Sequence, residues 1–291
     1  MQIDNHLKTT KTGNAAQLLS KSFSPVVNRK LCYCFPMDLT WLGTAGFIIK
    51  GQQGIIAFDP FISRGTGAKS PFTAKSFADV EAMFIGHGHF DHTYDVPEIA
   101  LNTEAKVFAP GLTGLMLKLR GLPSDRLVHA SNEEMLLKKF NLRAYKSSHA
   151  KFDLPLVYST LKRCKLGDCA KLCGLGFGYP KGMVQTYSFE IKNKKILFIS
   201  SAGCTEKELL MYRNLEIDYL LAPLQGHTHI QEIVAKQTMI INPKVVIPHH
   251  HDDFYPPISQ SISVEVFKDK LKHLGFKGNV LEIPLFHSCD I

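Results

Sequence analysis

An apolar run that ends in a cluster of histidines constrains the fold of this chain more than any other feature. Residues 82–85 read AMFI, which is typical of a buried strand, and residues 86–93 read GHGHFDHT. Crowding imidazoles and a carboxylate at the end of a buried strand costs desolvation free energy unless a positive charge engages their lone pairs. A metal ion supplies that charge, and the apolar run argues against a stretch of exposed polar residues. The pattern therefore predicts a metal site that includes His87, His89, Asp91 and His92.

Strand and helix patterns alternate from residue 37 onward. Three short strands with Gly-containing turns come first, in DLTWLG, GFIIK and GIIAFDP, and strands and helices then alternate to a last strand in NVLEIPLF. This order predicts an α/β fold in which two mixed β-sheets are flanked by helices, a four-layer αβ/βα sandwich. We interpret residues 1–36 as an N-terminal extension, residues 37–291 as the domain and residues 150–182 as an irregular insertion near the site.

Composition limits the class of protein. Hydrophobic residues make up 45% of the 291 residues, which is enough for a sizeable core, and the formal charge of +8 favours anionic partners or a solvated basic surface. The apolar runs are too short to span a membrane. The seven cysteines are odd in number, and the polar first residues do not resemble a secretion signal. We therefore expect a cytoplasmic protein, and the sequence leaves a homo-oligomer open.

Polar residues also end three further predicted strands. His149 ends AYKSSH, Ser200 and Ser201 end ILFISS, and His250 lies in VVIPHH. Ligands in layered α/β folds bind beyond the carboxyl ends of strands. We therefore expect these side chains to converge on the same site as the histidine cluster.

These residues resemble the motifs of the metallo-β-lactamase superfamily. Its signature H-x-H-x-D-H is matched by residues 87–92, and Asp59 in AFDP, His149 in SSHA and His250 in IPHH are similar to its other motifs in the same order. The stretch WLGTAGFII is similar to a lactonase-like branch that includes L-ascorbate-6-phosphate lactonases and the N-acylphosphatidylethanolamine phospholipase D group. Thr44 stands where that branch often has a histidine.

The resemblance implies one or two divalent metal ions, with zinc as the first choice and manganese or iron as alternatives. The first ion would bind His87, His89 and His149, and the second would bind Asp91, His92 and His250. Metal-bound hydroxide, oriented by Asp91, would then cleave a phosphodiester, a lactone or a related ester. The basic residues of segment 150–182 lead us to expect a small anionic substrate.

Several assignments keep an alternative. His149 could be an ordinary strand-end histidine, a neighbour of His250 in the triple 249–251 could be the ligand instead, and Asp59 could open a turn before Pro60 or support a ligand. Ser201 stands where many members of the superfamily have an aspartate that bridges two metals, which predicts a weaker second metal. Cys204 could replace that ligand, although a thiol that caps the next helix is the preferred interpretation.

Two further groups are candidates for a function. His227 and His229 in LQGHTH could donate a proton to a leaving group or bind an anion, or they could be exposed loop histidines. Cys164, Cys169 and Cys173 could form a structural metal site with Cys32 or Cys34, but their spacing matches no strong template, and we favour free thiols.

Two other functions fit the same fold. A redox or oxygen-handling metalloprotein is one, but no flavin or rubredoxin segment is recognisable. A non-catalytic nucleic-acid-binding protein is the other, but the basic excess is modest, so nucleic acid is not an expected partner. We therefore expect a metal-dependent hydrolase.

Overall fold

The computed structural model of the protein describes residues 37–65, 69–130 and 135–291. The predicted extension over residues 1–36 lies outside the described residues, and Cys32 and Cys34 lie there with it.

Within the described residues, the strands form two sheets of seven strands each. The first sheet has the order β14-β1-β2-β3-β4-β5-β6 and contains β1 (Asp38–Gly43), β2 (Gly46–Gly51), β3 (Gly54–Phe58), β4 (Ala82–Phe84), β5 (Lys106–Ala109), β6 (Leu127–His129) and β14 (Ser288–Asp290). The second has the order β13-β12-β11-β10-β9-β8-β7 and contains β7 (Met135–Leu137), β8 (Leu142–Ser147), β9 (Val184–Ile191), β10 (Lys194–Ile199), β11 (Tyr219–Pro223), β12 (Val245–His249) and β13 (Asn279–Val280).

Both sheets are mixed in the same way. The strands from β14 to β3 pair antiparallel and those from β3 to β6 pair parallel. Likewise, β7 to β10 pair antiparallel and β10 to β13 pair parallel. The carboxyl ends of the parallel strands therefore carry the loops of the site at one edge of the sandwich.

The helices in the described ranges are α1 (Phe90–Thr93), α2 (Val96–Leu101), α3 (Gly111–Leu119), α4 (Leu154–Arg163), α5 (Leu166–Gly178), α6 (Glu206–Arg213), α7 (Ile230–Ile241) and α8 (Val264–His273). Short 3-10 turns cover Ala74–Phe77 and Lys138–Phe140.

Three apolar clusters separate the layers. The largest lies between the sheets, where Phe47, Phe58 and Phe84 of the first sheet meet Phe189 and Phe198 of the second. A second cluster packs α6, α7 and α8 on one sheet, and a third packs α2 and α3 on the other. The predicted four-layer αβ/βα sandwich is therefore confirmed.

The prediction of an irregular segment over residues 150–182 is wrong, because α4 and α5 occupy most of it. Helix α5 contains four glycines, which have low helix propensity and make the sequence look like a loop. Pro155 in the first turn of α4 is compatible with a helix start, since its missing N–H needs no partner there.

Candidate metal centre

The loop after β4 brings the first histidines into the interior of the site. Gly86 and Gly88 allow this course, because a Cβ on Gly86 would lie 2.0 Å from Ser200 Oγ, and one on Gly88 would lie 2.1 Å from the carbonyl oxygen of Pro180. His89 is the N-cap residue of α1, and that short helix carries Asp91 and His92. The close spacing in sequence therefore becomes close spacing of side chains.

His87, His89 and His149 form the first group of potential ligands. Each offers one ring nitrogen, and these three atoms lie within 4.8 Å of one another. His87 Nε2 lies 3.1 Å from His89 Nδ1. Burial lowers the pKa of His89 and of His149 to about 4 and holds the pKa of His87 well below its usual value. The three rings are therefore neutral at pH 7, with lone pairs available for a cation.

Asp91, His92 and His250 form the second group, and their ligand atoms also lie within 4.8 Å of one another. His250 Nε2 lies 3.1 Å from Asp91 Oδ2, and His92 Nε2 lies 3.8 Å from the same oxygen. Burial alone would raise the pKa of Asp91, but His92 and His250 outweigh burial and lower it. The site therefore holds a carboxylate rather than a carboxylic acid.

Three groups of the surrounding fold orient the histidine rings. Ser200 Oγ lies 2.8 Å from His87 Nδ1, Asp59 Oδ2 lies 2.7 Å from His92 Nδ1, and the carbonyl oxygen of Ala150 lies 2.6 Å from His149 Nδ1. A partner on Nδ1 fixes the ring and leaves Nε2 for a metal. Burial alone would lower the pKa of His92, but Asp59 and Asp91 outweigh burial and raise it. A cation bound to Nε2 would take the place of the proton that makes this ring positive.

Asp59 does more than open a turn. Its Oδ1 accepts a hydrogen bond from the Gly86 N–H at 2.6 Å, so one buried carboxylate connects the end of β3 with both the loop after β4 and His92. Its φ of 37° is consistent with a strained turn at this position.

Ser200 contacts His87 directly, in agreement with the expectation from its place at a strand end. Ser201 Oγ instead accepts a hydrogen bond from the Ala150 N–H at 3.0 Å. It thereby supports the loop that carries His149.

The structure separates the three histidines of residues 249–251. His249 points into the core, where its ring stacks on Phe198 at 5.5 Å between centroids. The ring of His251 stacks on Trp41 at 4.6 Å. Only His250 of the three joins Asp91 and His92, as the motif match predicts.

The turn between β1 and β2 holds His250 in place. The His250 N–H donates to the carbonyl oxygen of Thr44 at 2.8 Å, and Trp41 Nε1 donates to the same oxygen at 3.0 Å. Asp252 Oδ1 accepts from the Thr44 N–H at 2.9 Å, and its other oxygen pairs with Arg64 at 2.5 Å. Thr44 therefore acts through its backbone, and sequence reasoning missed Asp252.

The other candidate residues lie away from the two groups. Neither His227 nor His229 lines the cavity of the site, although the preceding Gln225 and Gly226 do. His227 Nδ1 lies 4.0 Å from Asp153 Oδ1, and His229 is exposed. A proton-donating role for these histidines stays a prediction, and their positions outside the cavity lining argue against it.

The cysteines do not join the two groups either. Burial raises the pKa of Cys204 to about 12, its Sγ lies 3.4 Å from Ser147 Oγ, and Thr205 rather than Cys204 caps α6. The interpretation of Cys204 as the cap is therefore wrong. Cys164, Cys169 and Cys173 are free thiols, and no group of three or more ligand atoms in the described part of the chain includes them.

A cavity of about 470 Å³ opens above both groups of ligands. His87, His89, Asp91, His92, His149 and His250 line its floor, and side chains of α4 and α5 line its wall. None of the basic residues Lys151, Lys162, Arg163, Lys165, Lys171 and Lys181 is among the lining residues. The attraction of an anionic substrate by these residues therefore stays a prediction, and it would have to act from outside the cavity lining.

The fold is a four-layer αβ/βα sandwich, and histidine and aspartate side chains gather at the ends of its strands. Together these features define a class of α/β protein with a candidate metal centre. Residues 38–250 match the family model described as "Beta-lactamase superfamily domain". The chain belongs to this superfamily.

Curated relatives cover most of the chain. A "UPF0173 metal-dependent hydrolase" of Polynucleobacter asymbioticus is 26% identical over 226 residues, which are 74% of this chain and 74% of the relative. A protein of the same name from Pyrococcus furiosus is 29% identical over 258 residues, 88% of this chain and 100% of the relative. The solved structure of Igni18, a metallo hydrolase from Ignicoccus hospitalis, has a TM-score of 0.64 and 21% identity and covers 88% of this chain and 99% of its own, which supports the fold.

Among the helices of the described ranges, none is both long and apolar enough to cross a membrane.

Proposed function

We propose that this protein is a metal-dependent hydrolase that cleaves a phosphodiester, a lactone or a related ester. One observation carries the proposal: two groups of three ligand atoms lie side by side at the floor of a cavity large enough for a small-molecule substrate. Membership of the superfamily and the names of the curated relatives support it. The lactonase-like branch stays a prediction within this class.

The two groups fit divalent cations in their chemistry. His87, His89 and His149 would hold one ion through neutral imidazoles, and Asp91, His92 and His250 would hold another through two imidazoles and a carboxylate. Zinc suits both groups, and manganese or iron would also accept these ligands. Such an ion, when bound, activates water and polarises the bond under attack.

The residues of the chain would perform the remaining tasks. Asp91 is ionised and lies at the cavity floor, where its carboxylate can accept a hydrogen bond from the attacking water and orient it. Ser200 and Asp59 hold His87 and His92 in fixed orientations, so little reorganisation is needed when substrate binds. A substrate that covers the apolar wall would displace bulk water and thereby strengthen electrostatic interactions at the floor.

Ser201 bears on the number of ions. It offers a hydroxyl that is already hydrogen-bonded to Ala150, so the second group has Asp91 as its one anionic ligand. We infer that the second ion binds less tightly than it would with an aspartate at position 201, because less negative charge compensates it.

Metal analysis combined with a substrate panel tests the proposal. We expect purified protein supplemented with zinc, manganese or iron to carry metal and to hydrolyse at least one of a set of chromogenic esters, lactones and phosphodiesters. His87→Ala and His89→Ala should lose most of the metal and the activity. His273→Ala, which removes an exposed histidine of α8, is the matched control and should lose neither. Wild-type protein that binds no metal, or ligand variants that retain all of it, would overturn the proposal.

A further inference from the structure

The cavity wall differs chemically from its floor. Leu156, Val157, Thr160 and Leu161 of α4 line the cavity, and their spacing places them on one face of that helix. From α5 and its end, Leu172, Leu175, Gly176 and Tyr179 line the cavity with the same helical spacing. The two helices therefore turn a shared, mostly apolar face toward the site.

The wall continues without a break to the ligands of the floor. The ring of Phe152, just before α4, lies 5.3 Å from the ring of His149 and 6.5 Å from that of His89. Phe254 extends the apolar lining on the other side, with its ring 5.2 Å from that of His250. A group bound along the wall would therefore reach the atoms where the reaction is proposed to occur.

Several apolar side chains of this wall remain exposed within the part of the chain that the structure describes. Phe152 is 57% exposed, Leu161 is 51% exposed and Val157 is 42% exposed, although all three line the cavity. An apolar patch of this kind beside a site marks a surface that a ligand covers. Hydrocarbon is the ligand chemistry that gains free energy from covering it.

Charged groups do not compete for this wall. Among the residues that line the cavity, Asp91 is the one Asp, Glu, Lys or Arg. Arg163, at the end of α4, donates to the carbonyl oxygens of Pro257 and Ser159. Asp153 accepts from the Thr228 N–H outside the lining. An ionic substrate tail along this wall would therefore lose its hydration without gaining an oppositely charged partner from helices α4 and α5 in the lining.

We propose that the substrate carries a hydrocarbon chain next to the bond that is cleaved, and that α4 and α5 hold this chain against the wall. The inference rests on the proposed hydrolase function for the position of the bond, while the binding of the chain rests on the cavity alone. Val157 and Leu161 would set the longest chain that fits, because they lie in the wall on the face of α4 that looks into the cavity.

Binding of linear alcohols from butanol to decanol, measured by calorimetry on the protein as purified, tests the wall without relying on catalysis. We expect the dissociation constant to fall by about fourfold for each added methylene until the cavity is filled. In Val157→Trp and Leu161→Trp, the dissociation constant should stop falling at a shorter alcohol. Leu154→Trp and Tyr158→Trp place the same bulk on the outward face of α4, where the native residues are 84% and 70% exposed, and should leave the series unchanged.

Hydrolysis of p-nitrophenyl esters with acyl chains of two to twelve carbons is the second measurement. We expect kcat/KM to rise with chain length and to reach its plateau earlier in Val157→Trp and Leu161→Trp. An alcohol series with no dependence on length, or equal effects of inward and outward Trp variants, would overturn the inference.

The two measurements also separate this inference from the proposed function. A protein that binds long alcohols but carries no metal and cleaves no ester would contradict the hydrolase proposal and leave the hydrocarbon wall intact. A metal-dependent esterase that ignores both chain length and the Val157 and Leu161 variants would contradict the wall alone.

Discussion

The floor and the wall of the same cavity are built in opposite ways. The floor consists of buried or half-buried polar side chains at strand ends, and Ser200, Asp59 and the Ala150 carbonyl hold its rings. The wall comes from α4 and α5, which contain no buried residue. Changes in the floor should therefore alter chemistry and metal binding, whereas changes in the wall should alter which substrates bind and leave the fold intact.

The strongest test of this comparison exchanges a carboxylate of the floor and, as a control, one at the start of α4. We expect Asp91→Asn to lower kcat/KM by about a hundredfold or more, because the site loses both an anionic ligand and the group proposed to orient water. Asp153→Asn, at the start of α4 and outside the cavity lining, should have a small effect. Circular dichroism and metal analysis of both variants would accompany the kinetics. Wild-type turnover by folded Asp91→Asn would remove Asp91 from the mechanism.

A smaller effect is expected from the groups that orient the floor histidines. Ser200→Ala and Asp59→Ala should weaken metal binding by about 10- to 100-fold, because His87 and His92 lose their Nδ1 partners. Ser201→Ala is the neighbouring comparison and should have a smaller effect, since that hydroxyl acts on His149 only through the Ala150 backbone. Competition with a chelator would measure the affinities. Equal losses in all three variants would show that the effect is general loosening of the strand end.

The smallest effect concerns the attachment of the wall. Arg163→Ala should increase opening of α4 and α5 by about tenfold, because its guanidinium no longer bonds the Pro257 carbonyl. Hydrogen exchange of residues 154–178, compared with β4, would measure this opening. Lys162→Ala, on an exposed neighbour, is the control. Faster exchange in β4 as well would mean that the wall and the floor unfold together and would contradict their independence.

Much of the framework was predictable because it is local. The strand in DLTWLG and the helix in IQEIVAKQTMII lie where their patterns predict, as β1 and α7. The last strand is an exception. Only Asn279–Val280 of NVLEIPLF forms β13, and Ser288–Asp290 pairs with β1 instead, through contacts that no local pattern marks.

The sequence by itself determined the α/β class, the alternation of strands and helices and the candidate residues of the metal centre, since hydrophobic periodicity and close ligand spacing are properties of short segments. Tertiary structure decided which histidine of the triple faces the site, that Ser200 contacts His87 across 113 positions of sequence, and that a glycine-rich segment becomes two helices over the cavity. These outcomes depend on contacts between distant segments. Only the packing of the two sheets brings those segments together. Contacts between distant segments produce no periodic pattern in the sequence from which they could be predicted.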